Sequence, residues 1–232
     1  MINDLTILIQ GRCEEKQLNL WIKNYSEWNV IISTWKEIDD NIIFPKNWKI
    51  IKSNYPPRYY SAFNFDYHLE STIIGLNYVN TKYVLKLRAD EYWSNIDVVY
   101  NKFKKDDTKV LCGSLFFRPL DTIYPFHISD HIICSTLDNM IKMFVGAKNN
   151  IKLNLPLYAP ESILGFGFVS NKENFNKTDC VKYIKDSKFY LQKWFDIIDV
   201  NELTPFIATY SSKLGRHYII DYFSNFECIT KF

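Results

Sequence analysis

The fold of this chain is decided by the stretch Lys82–Trp93, which has the sequence KYVLKLRADEYW. Its first half is rich in β-branched and aliphatic residues without glycine or proline, which is typical of a buried strand. Its second half changes abruptly to a charged cluster of Arg88, Asp90 and Glu91. Open α/β sheets bind ligands at the carboxyl ends of their strands, so these groups are candidates for a binding site. The alternative is an ordinary strand end whose charges are solvated.

Strands and helices alternate before this stretch. Buried strands are predicted for Leu5–Arg12, which Gly11 stops, and for Asn29–Trp35. Helices are predicted for Glu14–Tyr25 and for about Asn64–Tyr78, where apolar residues recur at helical spacing. Alternation of this kind predicts an α/β fold with a mostly parallel central sheet and helices on both of its faces.

The pattern continues after the stretch with less distinct boundaries. We expect one continuous domain, because the chain has no internal repeat and no low-complexity tract. The predicted elements are a helix over 96–105, a strand over 109–117, a helix over 137–145, a helix that begins at Pro160 and a helix over 179–198. The C-terminal segment 217–223 is compatible with either a helix or a strand.

Composition excludes several classes of protein. The chain has 232 residues with a formal net charge of +2, and its basic residues are scattered, which argues against a nucleic-acid-binding protein. Five widely spaced cysteines without a C-x-x-C motif argue against a disulfide framework or a zinc site and favour a reducing compartment, the cytoplasm. Prolines and Glu161 interrupt the most apolar region, 153–169, so we expect no transmembrane segment.

The chain contains the parts that a nucleotide-sugar site requires. Gln10-Gly11-Arg12 and Ser33-Thr34 are polar strand ends that can hold a base and a ribose. Asp90 or Glu91 can carry a divalent cation, since Mg²⁺ and Mn²⁺ prefer oxygen ligands. Asp130 and Glu161 are two further carboxylates, next to apolar runs, where burial can raise a pKa into the range that acid–base chemistry uses. The alternative for Asp130 is a capping or salt-bridge role, and the alternative for Glu161 is a carboxylate that the dipole of a helix N-terminus favours.

The ordered set of motifs resembles the WavE-type lipopolysaccharide-synthesis glycosyltransferases and the related glycosyltransferase domains of large DNA viruses. Its most specific part is K-x-R-[SA]-D-E at the end of a hydrophobic strand, followed about forty residues later by S-D-H. The similarity extends over roughly residues 5 to 170 and comprises Gln10-Gly11, Ser33-Thr34-Trp35, Gly75-Leu76, Lys86-Leu87-Arg88-Ala89-Asp90-Glu91, Ser129-Asp130-His131 and Pro160-Glu161.

This resemblance implies a single GT-A domain over residues 1–232. About residues 1–95 would form the nucleotide-binding half and about 96–232 the acceptor-binding half. In GT-A enzymes the strand-end motif is usually Asp-x-Asp, whereas here it is Arg88-Ala89-Asp90. Asp90 keeps the position that normally touches the metal, Mn²⁺ or Mg²⁺. Because Arg88 replaces the first aspartate, its guanidinium could supply part of the positive charge that a cation supplies elsewhere.

The activity implied is transfer of a hexose or deoxyhexose from a nucleoside-diphosphate sugar, most readily a UDP-sugar, to a hydroxyl of a glycan or glycolipid. Glu161 or Asp130 would be the catalytic base, and Asp90 the metal ligand. The nucleotide-sugar-binding residues would be Gln10, Gly11, Arg12, Ser33, Thr34, Lys86, Arg88 and Asp90.

Two other functions remain open at this stage. One is an inactive nucleotide-sugar or glycan-binding module of the same fold. The other is a nucleotidyltransferase, although no glycine-rich phosphate loop lies near Gly11. The tyrosine-rich stretch Tyr55–Tyr67 could stack on a base or sugar, or pack under a loop.

Overall fold

The computed structural model describes residues 4–13, 15–36, 43–57, 64–115, 117, 124–153, 155–157, 159–207, 209–211 and 217–219. Its strands are β1 (Leu5–Gln10), β2 (Asn29–Trp35), β3 (Trp48–Ser53), β4 (Tyr83–Arg88), β5 (Tyr92–Trp93), β6 (Val110–Gly113), β7 (Ile132–Thr136), β8 (Phe195–Ile198), β9 (Phe206–Ile207), β10 (Thr209–Ser211) and β11 (His217–Ile219). Its helices are α1 (Glu15–Tyr25), α2 (Phe65–Leu76), α3 (Ile96–Phe103), α4 (Leu137–Ile151), α5 (Pro160–Lys172), α6 (Cys180–Ile184) and α7 (Ser187–Trp194).

Seven strands form one central sheet in the order β3-β2-β1-β4-β7-β6-β8. The strands β3, β2, β1 and β4 are parallel to one another, and β8 is parallel to β6. Only β7 within this sheet runs antiparallel to its neighbours, β4 and β6. The predicted α/β fold with a mostly parallel sheet is therefore confirmed.

Helices cover both faces of the sheet, as the alternating pattern predicts. One face packs against α1 and α3 through a core that includes Trp21, Leu85 and Phe103. The other face packs against α2, α4, α5 and α7 in a second core, which includes Leu69 and Phe144. Because strand residues alternate between the faces, each strand contributes to both cores.

The prediction of one helix over 179–198 is wrong at its C-terminal end. The structure has the short helices α6 and α7, followed by the strand β8, which pairs with the edge of β6. Phe195, Ile197 and Ile198 are buried there. Aromatic and β-branched residues fit a pleated sheet surface, and pairing with β6 satisfies backbone groups that a helix end would leave without partners. Of the segment 217–223, residues 217–219 form β11, and residues 220–223 lie outside the described residues.

Glycines allow α5 to approach its neighbours at backbone distance. A Cβ atom on Gly146 of α4 would lie 2.5 Å from the carbonyl oxygen of Gly167 in α5, and one on Gly167 would lie 2.5 Å from the nitrogen of Ala147. A Cβ atom on Gly165 would lie 2.0 Å from the carbonyl oxygen of Phe126. The helix α5 is therefore fixed between α4 and the segment that precedes β7. None of the described helices combines the length and the hydrophobicity that crossing a lipid bilayer requires.

We expect Gly167→Ala to lower the free energy of unfolding by about 1–3 kcal/mol, because the added methyl group would overlap the backbone of α4. Urea unfolding measures this change. Asn149→Ala, on the exposed side of α4, is the control and should leave stability unchanged or raise it slightly. Equal stability of Gly167→Ala and the wild type would contradict the close helix crossing.

Candidate active site

The candidate site lies where the order of the strands reverses. The chain proceeds from β1 to β2 and β3 on one side, and β4 then pairs with the other side of β1. Ligands of open α/β sheets bind at the carboxyl ends of the strands at such a point. The backbone nitrogen of Ala89 donates to the carbonyl oxygen of Gln10 at 2.8 Å, and Gly11 has a φ of 114°, a left-handed value that favours glycine. The strands β1 and β4 therefore stay paired up to their carboxyl ends and finish side by side.

The register of the sheet places three predicted residues in one row. Gln10 pairs with Ser33 of β2 on one side and with Arg88 of β4 on the other. Strand alternation directs these side chains, together with Lys86, toward the face that α2, α4 and α5 cover. Thr34 follows Ser33 directly and points to the opposite face, where it hydrogen-bonds with Cys13. The structure thus separates Thr34 from the other predicted residues.

Arg88 and Asp90 form a bidentate ion pair at the end of β4. The Arg88 Nε and Nη2 atoms donate to Asp90 Oδ1 at 3.1 Å and to Oδ2 at 3.0 Å. The Arg88 side chain is 30% exposed and the Asp90 side chain 23% exposed, so the pair is accessible from solvent. The Arg88 Nε atom also lies 3.6 Å from Glu91 Oε1, and Arg88 Nη1 lies 3.7 Å from Asp130 Oδ2. One guanidinium therefore faces three carboxylates.

Glu91 is a buried structural residue. By sequence it is, beside Asp90, a candidate cation ligand. Its side chain is fully buried. One carboxylate oxygen accepts a hydrogen bond from Trp93 Nε1 at 3.0 Å, and the other contacts His131 Nδ1. Its backbone carbonyl accepts a hydrogen bond from Trp21 Nε1 at 2.9 Å. These contacts hold the loop after β4 against α1 and the start of β7.

Asp130 approaches the same cluster from the segment before β7. Lys86 is fully buried, and its Nζ atom donates to the backbone carbonyl of Asp130. The Asp130 Oδ2 atom lies 3.6 Å from His68 Nδ1, whereas Oδ1 makes no hydrogen bond to any described residue. Burial by itself raises the pKa of the Asp130 carboxyl, but the neighbouring cations, Arg88 foremost, hold it well below its usual range. Asp130 is therefore ionised at neutral pH.

Glu161 lies in the first turn of α5, directly after Pro160. Its side chain is 28% exposed and lies 3.8 Å from His127 Nε2. Burial, and secondly the negative charge of Asp130, raise the pKa of Glu161 from its ordinary value of 4.5 to about 7. A helix N-terminus favours the ionised form, so these two effects outweigh the helix dipole. Two neighbouring carboxyls with pKa values pushed apart are the usual arrangement of an acid–base site.

Gln10 and Ser33 connect the ends of β1 and β2 to α2. The Ser71 Oγ atom lies 2.8 Å from Gln10 Oε1, and Ser33 Oγ donates to the backbone carbonyl of Ser71 at 2.6 Å. Both side chains are buried, so they stabilise the carboxyl ends of β1 and β2 and are not presented to solvent. Arg12, in contrast, is exposed in the loop after β1.

His68 belongs to the site, and the sequence prediction missed it. Burial, followed by the charge of Lys86, lowers the pKa of His68 well below its usual value, so its ring is neutral. Its Nε2 atom is buried without a hydrogen bond to any described residue. A signal existed in the sequence, because His68, Ser71, Thr72 and Gly75 form a polar and small-residue stripe at i, i+3, i+4 and i+7.

Tyr55 and Tyr67 pack on Trp35 at the end of β2. The ring centroids of Trp35 and Tyr55 are 4.8 Å apart at an interplanar angle of 29°, and Tyr67 lies 5.7 Å from Trp35. Tyr55 is nevertheless 43% exposed, so stacking of the tyrosine-rich stretch on a base or sugar stays a prediction. Residues 58–63 of the stretch lie outside the described residues.

A metal ion at this site would have to share its ligands with a substrate. Within the described ranges, no three His, Cys, Asp or Glu side chains are arranged to hold a metal ion. Magnesium is commonly bound by one or two carboxylates together with substrate phosphates. Asp90 fits that role, because its carboxylate is partly exposed at the edge of the sheet, provided that Arg88 releases it.

Comparison with known families gives one match. The model of the family described as WavE lipopolysaccharide synthesis matches residues 21–158 of the chain. The match includes β2, α2, the Lys86–Glu91 motif and the Ser129–His131 motif. The mixed seven-stranded sheet is consistent with the GT-A fold that the resemblance implied. No curated protein matches the chain.

The raised pKa of Glu161 predicts a pH-dependent stability. The folded state binds this proton more tightly than the unfolded state, so the wild type loses stability as the pH rises from 4.5 through 7. We expect the stability of Glu161→Gln relative to the wild type to increase by at most about 3 kcal/mol over this interval. Urea unfolding at a series of pH values measures it.

Glu27→Gln is the matched control, because Glu27 is an exposed glutamate distant in sequence from α5. Its stability relative to the wild type should not change over the same interval. A constant difference between Glu161→Gln and the wild type would contradict the burial of the Glu161 carboxyl.

Proposed function

The chain belongs to the WavE lipopolysaccharide synthesis family, which implies a glycosyltransferase role, and we propose that it transfers a hexose or deoxyhexose from a nucleoside-diphosphate sugar to a hydroxyl of a glycan or glycolipid. The observation that carries the proposal is the partly exposed Arg88–Asp90 pair beside two carboxyls of unlike pKa, all at the point where the strand order reverses. We take a UDP-sugar as the first donor to test.

The donor diphosphate would bind at Arg88 and Asp90. A guanidinium offers five N–H donors in a planar arrangement that suits phosphate oxygens, so Arg88 can exchange the Asp90 carboxylate for the diphosphate. The cluster has no surplus of positive charge, because two cations, Lys86 and Arg88, face three carboxylates. A Mn²⁺ or Mg²⁺ ion held by Asp90 would supply positive charge to the leaving diphosphate.

The acceptor would be activated by Glu161. With a pKa of about 7, Glu161 is partly ionised at neutral pH and can accept a proton. In an inverting reaction, Glu161 takes the proton of the acceptor hydroxyl. The hydroxyl oxygen bonds to the anomeric carbon while the bond from that carbon to the diphosphate breaks. Asp130, which stays ionised, would orient the acceptor through hydrogen bonds. His68 could donate or accept a further one through its Nε2 atom.

A reducing location fits the state of the cysteines. The four cysteines within the described residues are free thiols, and three of them are buried. We therefore propose the cytoplasm, where thiols stay reduced, as the place in which the chain acts.

We expect Asp90→Asn to reduce sugar transfer, or hydrolysis of the donor, by about 100-fold or more, because the divalent cation that would stabilise charge on the leaving diphosphate would lose its carboxylate ligand. The measurement is release of UDP from a panel of UDP-sugars, with and without Mn²⁺. Asp97→Asn, an exposed aspartate in α3, is the matched control and should keep full activity. Binding of UDP-sugars without turnover by the wild type, with every acceptor tried, would identify an inactive binding module instead.

We expect Glu161→Gln to lower kcat by about 100- to 10,000-fold with little change in the Kd of the donor, because the variant loses the proton acceptor. The kcat/KM of the wild type should rise with pH and level off above an apparent pKa near 7, because this ratio reports the pKa of the free enzyme. Initial rates measured across this pH range test both statements. A kcat that Glu161→Gln leaves unchanged would exclude Glu161 as the base.

A further inference from the structure

Two large apolar side chains project into solvent from the helices α6 and α7. Val181 is 67% exposed and Phe189 is 60% exposed. A folded protein gains no packing energy from such side chains, and single instances are common on protein surfaces. Here the two occur on consecutive short helices, so their surroundings decide what they indicate.

Both helices are held to the protein by their other sides. The ring of Phe175 stacks on Tyr183 of α6 at 3.7 Å and contacts Tyr190 of α7 at 4.9 Å. Cys180 and Leu191 are buried in the core beneath them. The sides that carry Val181 and Phe189 are therefore directed away from the core by the packing of the rest of each helix.

Lysines surround the two apolar side chains. Residues 180–194 contain four lysines and a single acid, Asp186. All four lysines are exposed, namely Lys182, Lys185, Lys188 and Lys193. Over the longer segment 142–194 there are nine lysines against four acids, in a chain whose formal net charge is only +2. The segment 142–194 thus carries more positive charge than the chain as a whole.

Half-buried aromatic rings lie between the lysines and the core. The Lys172 and Lys193 Nζ atoms lie 5.1 and 4.9 Å from the ring centre of Trp194, and Lys182 Nζ lies 5.9 Å from that of Tyr183. Lysine stems that extend along aromatic rings keep their ammonium groups in water while their carbons cover apolar surface. Tryptophan and tyrosine at this depth are typical of the interfacial region of a bilayer.

We propose that α6 and α7 dock the protein on the surface of an anionic lipid bilayer, with Val181 and Phe189 inserted between head groups and the exposed Lys182, Lys185 and Lys188 facing anionic phosphates. This combination of apolar projections and a lysine-rich margin is that of helices which lie in the membrane interface. A bilayer is favoured over a protein partner, because two separated apolar projections among charges do not form the continuous apolar centre of a protein interface.

The docking surface would also set the distance of the active site from the membrane. Helix α5 begins at Pro160, directly before Glu161 of the site, and ends at Lys172, beside Trp194. Its 13 residues span about 20 Å. Because α5 connects the site to the surroundings of Trp194, contact through α6 and α7 would place the site within about one helix length of the docking surface, within reach of a glycan carried by a lipid. This last consequence rests on the proposed function, whereas the docking itself does not.

Sedimentation with vesicles tests the proposal on the full chain. We expect the protein to sediment with vesicles of phosphatidylcholine that contain phosphatidylglycerol and not with vesicles of phosphatidylcholine alone. Binding should weaken as salt is added, because screening reduces the attraction between lysines and lipid phosphates. Val181→Ser combined with Phe189→Ser should lower binding at least tenfold. Lys182→Gln, Lys185→Gln and Lys188→Gln together should lower it about 100-fold, at roughly fivefold per lysine.

Ile43→Ser and Lys46→Gln are the matched controls, because both residues are exposed far from α6 and α7 in sequence, and Ile43 is 88% exposed. They should bind vesicles as the wild type does. Absence of binding to anionic vesicles, or equal binding by the variants of α6 and α7, would overturn the proposal. A dimer in analytical ultracentrifugation that Phe189→Ser dissociates, and that anionic vesicles do not dissociate, would also overturn the proposal. UDP release with a water-soluble acceptor should be the same in all these variants, so a negative result would leave the proposed activity intact.

Discussion

The structure depends on the position of one guanidinium among carboxylates at the carboxyl ends of the central strands. Arg88 contacts Asp90, Glu91 and Asp130, which come from the turn after β4 and from the segment before β7. Charges removed from water require partners, and Glu91 and Asp130 are both buried. The pairs of Arg88 with these carboxylates therefore help to fix two chain segments to each other at the point where a ligand would bind.

Antiparallel β7 explains why Asp130 belongs to this cluster. In a sheet of parallel strands, the polar groups on the carboxyl side come from the ends of the strands, as Gln10 ends β1 and Arg88 ends β4. Because β7 runs in the opposite direction, the residues that precede it reach the same side. Glu161 then arrives through α5, which Gly165 and Gly167 allow to lie against the backbone of its neighbours. Side chains that are far apart in sequence thus share one electrostatic environment.

Local sequence patterns predict much of this fold and less of the site. The strands β1, β2 and β4 and the helix α2 are predictable, since their hydrophobic periodicity is strong and polar residues mark their ends. Alternation along a strand also separates Ser33 from Thr34 without coordinates, although the two were predicted together. The register that aligns Gln10 with Ser33 and Arg88 is tertiary information, as is the edge of β6 that makes β8 a strand. The pKa of Glu161 could not be predicted either, because it depends on burial and on Asp130, 31 residues earlier.

The difference in burial between Asp90 and Glu91 follows from the position at which β4 ends. Had the strand continued, neighbouring side chains would have pointed to opposite faces, and only one could have met Arg88. Because the chain turns at Ala89, both carboxylates contact Arg88, but they differ in how firmly other residues hold them. Glu91 is fully buried and bound by Trp93 and His131, so it cannot change partner without loss of stability. Asp90 is partly exposed, so it is the carboxylate that can release Arg88, as the proposed binding of a diphosphate requires.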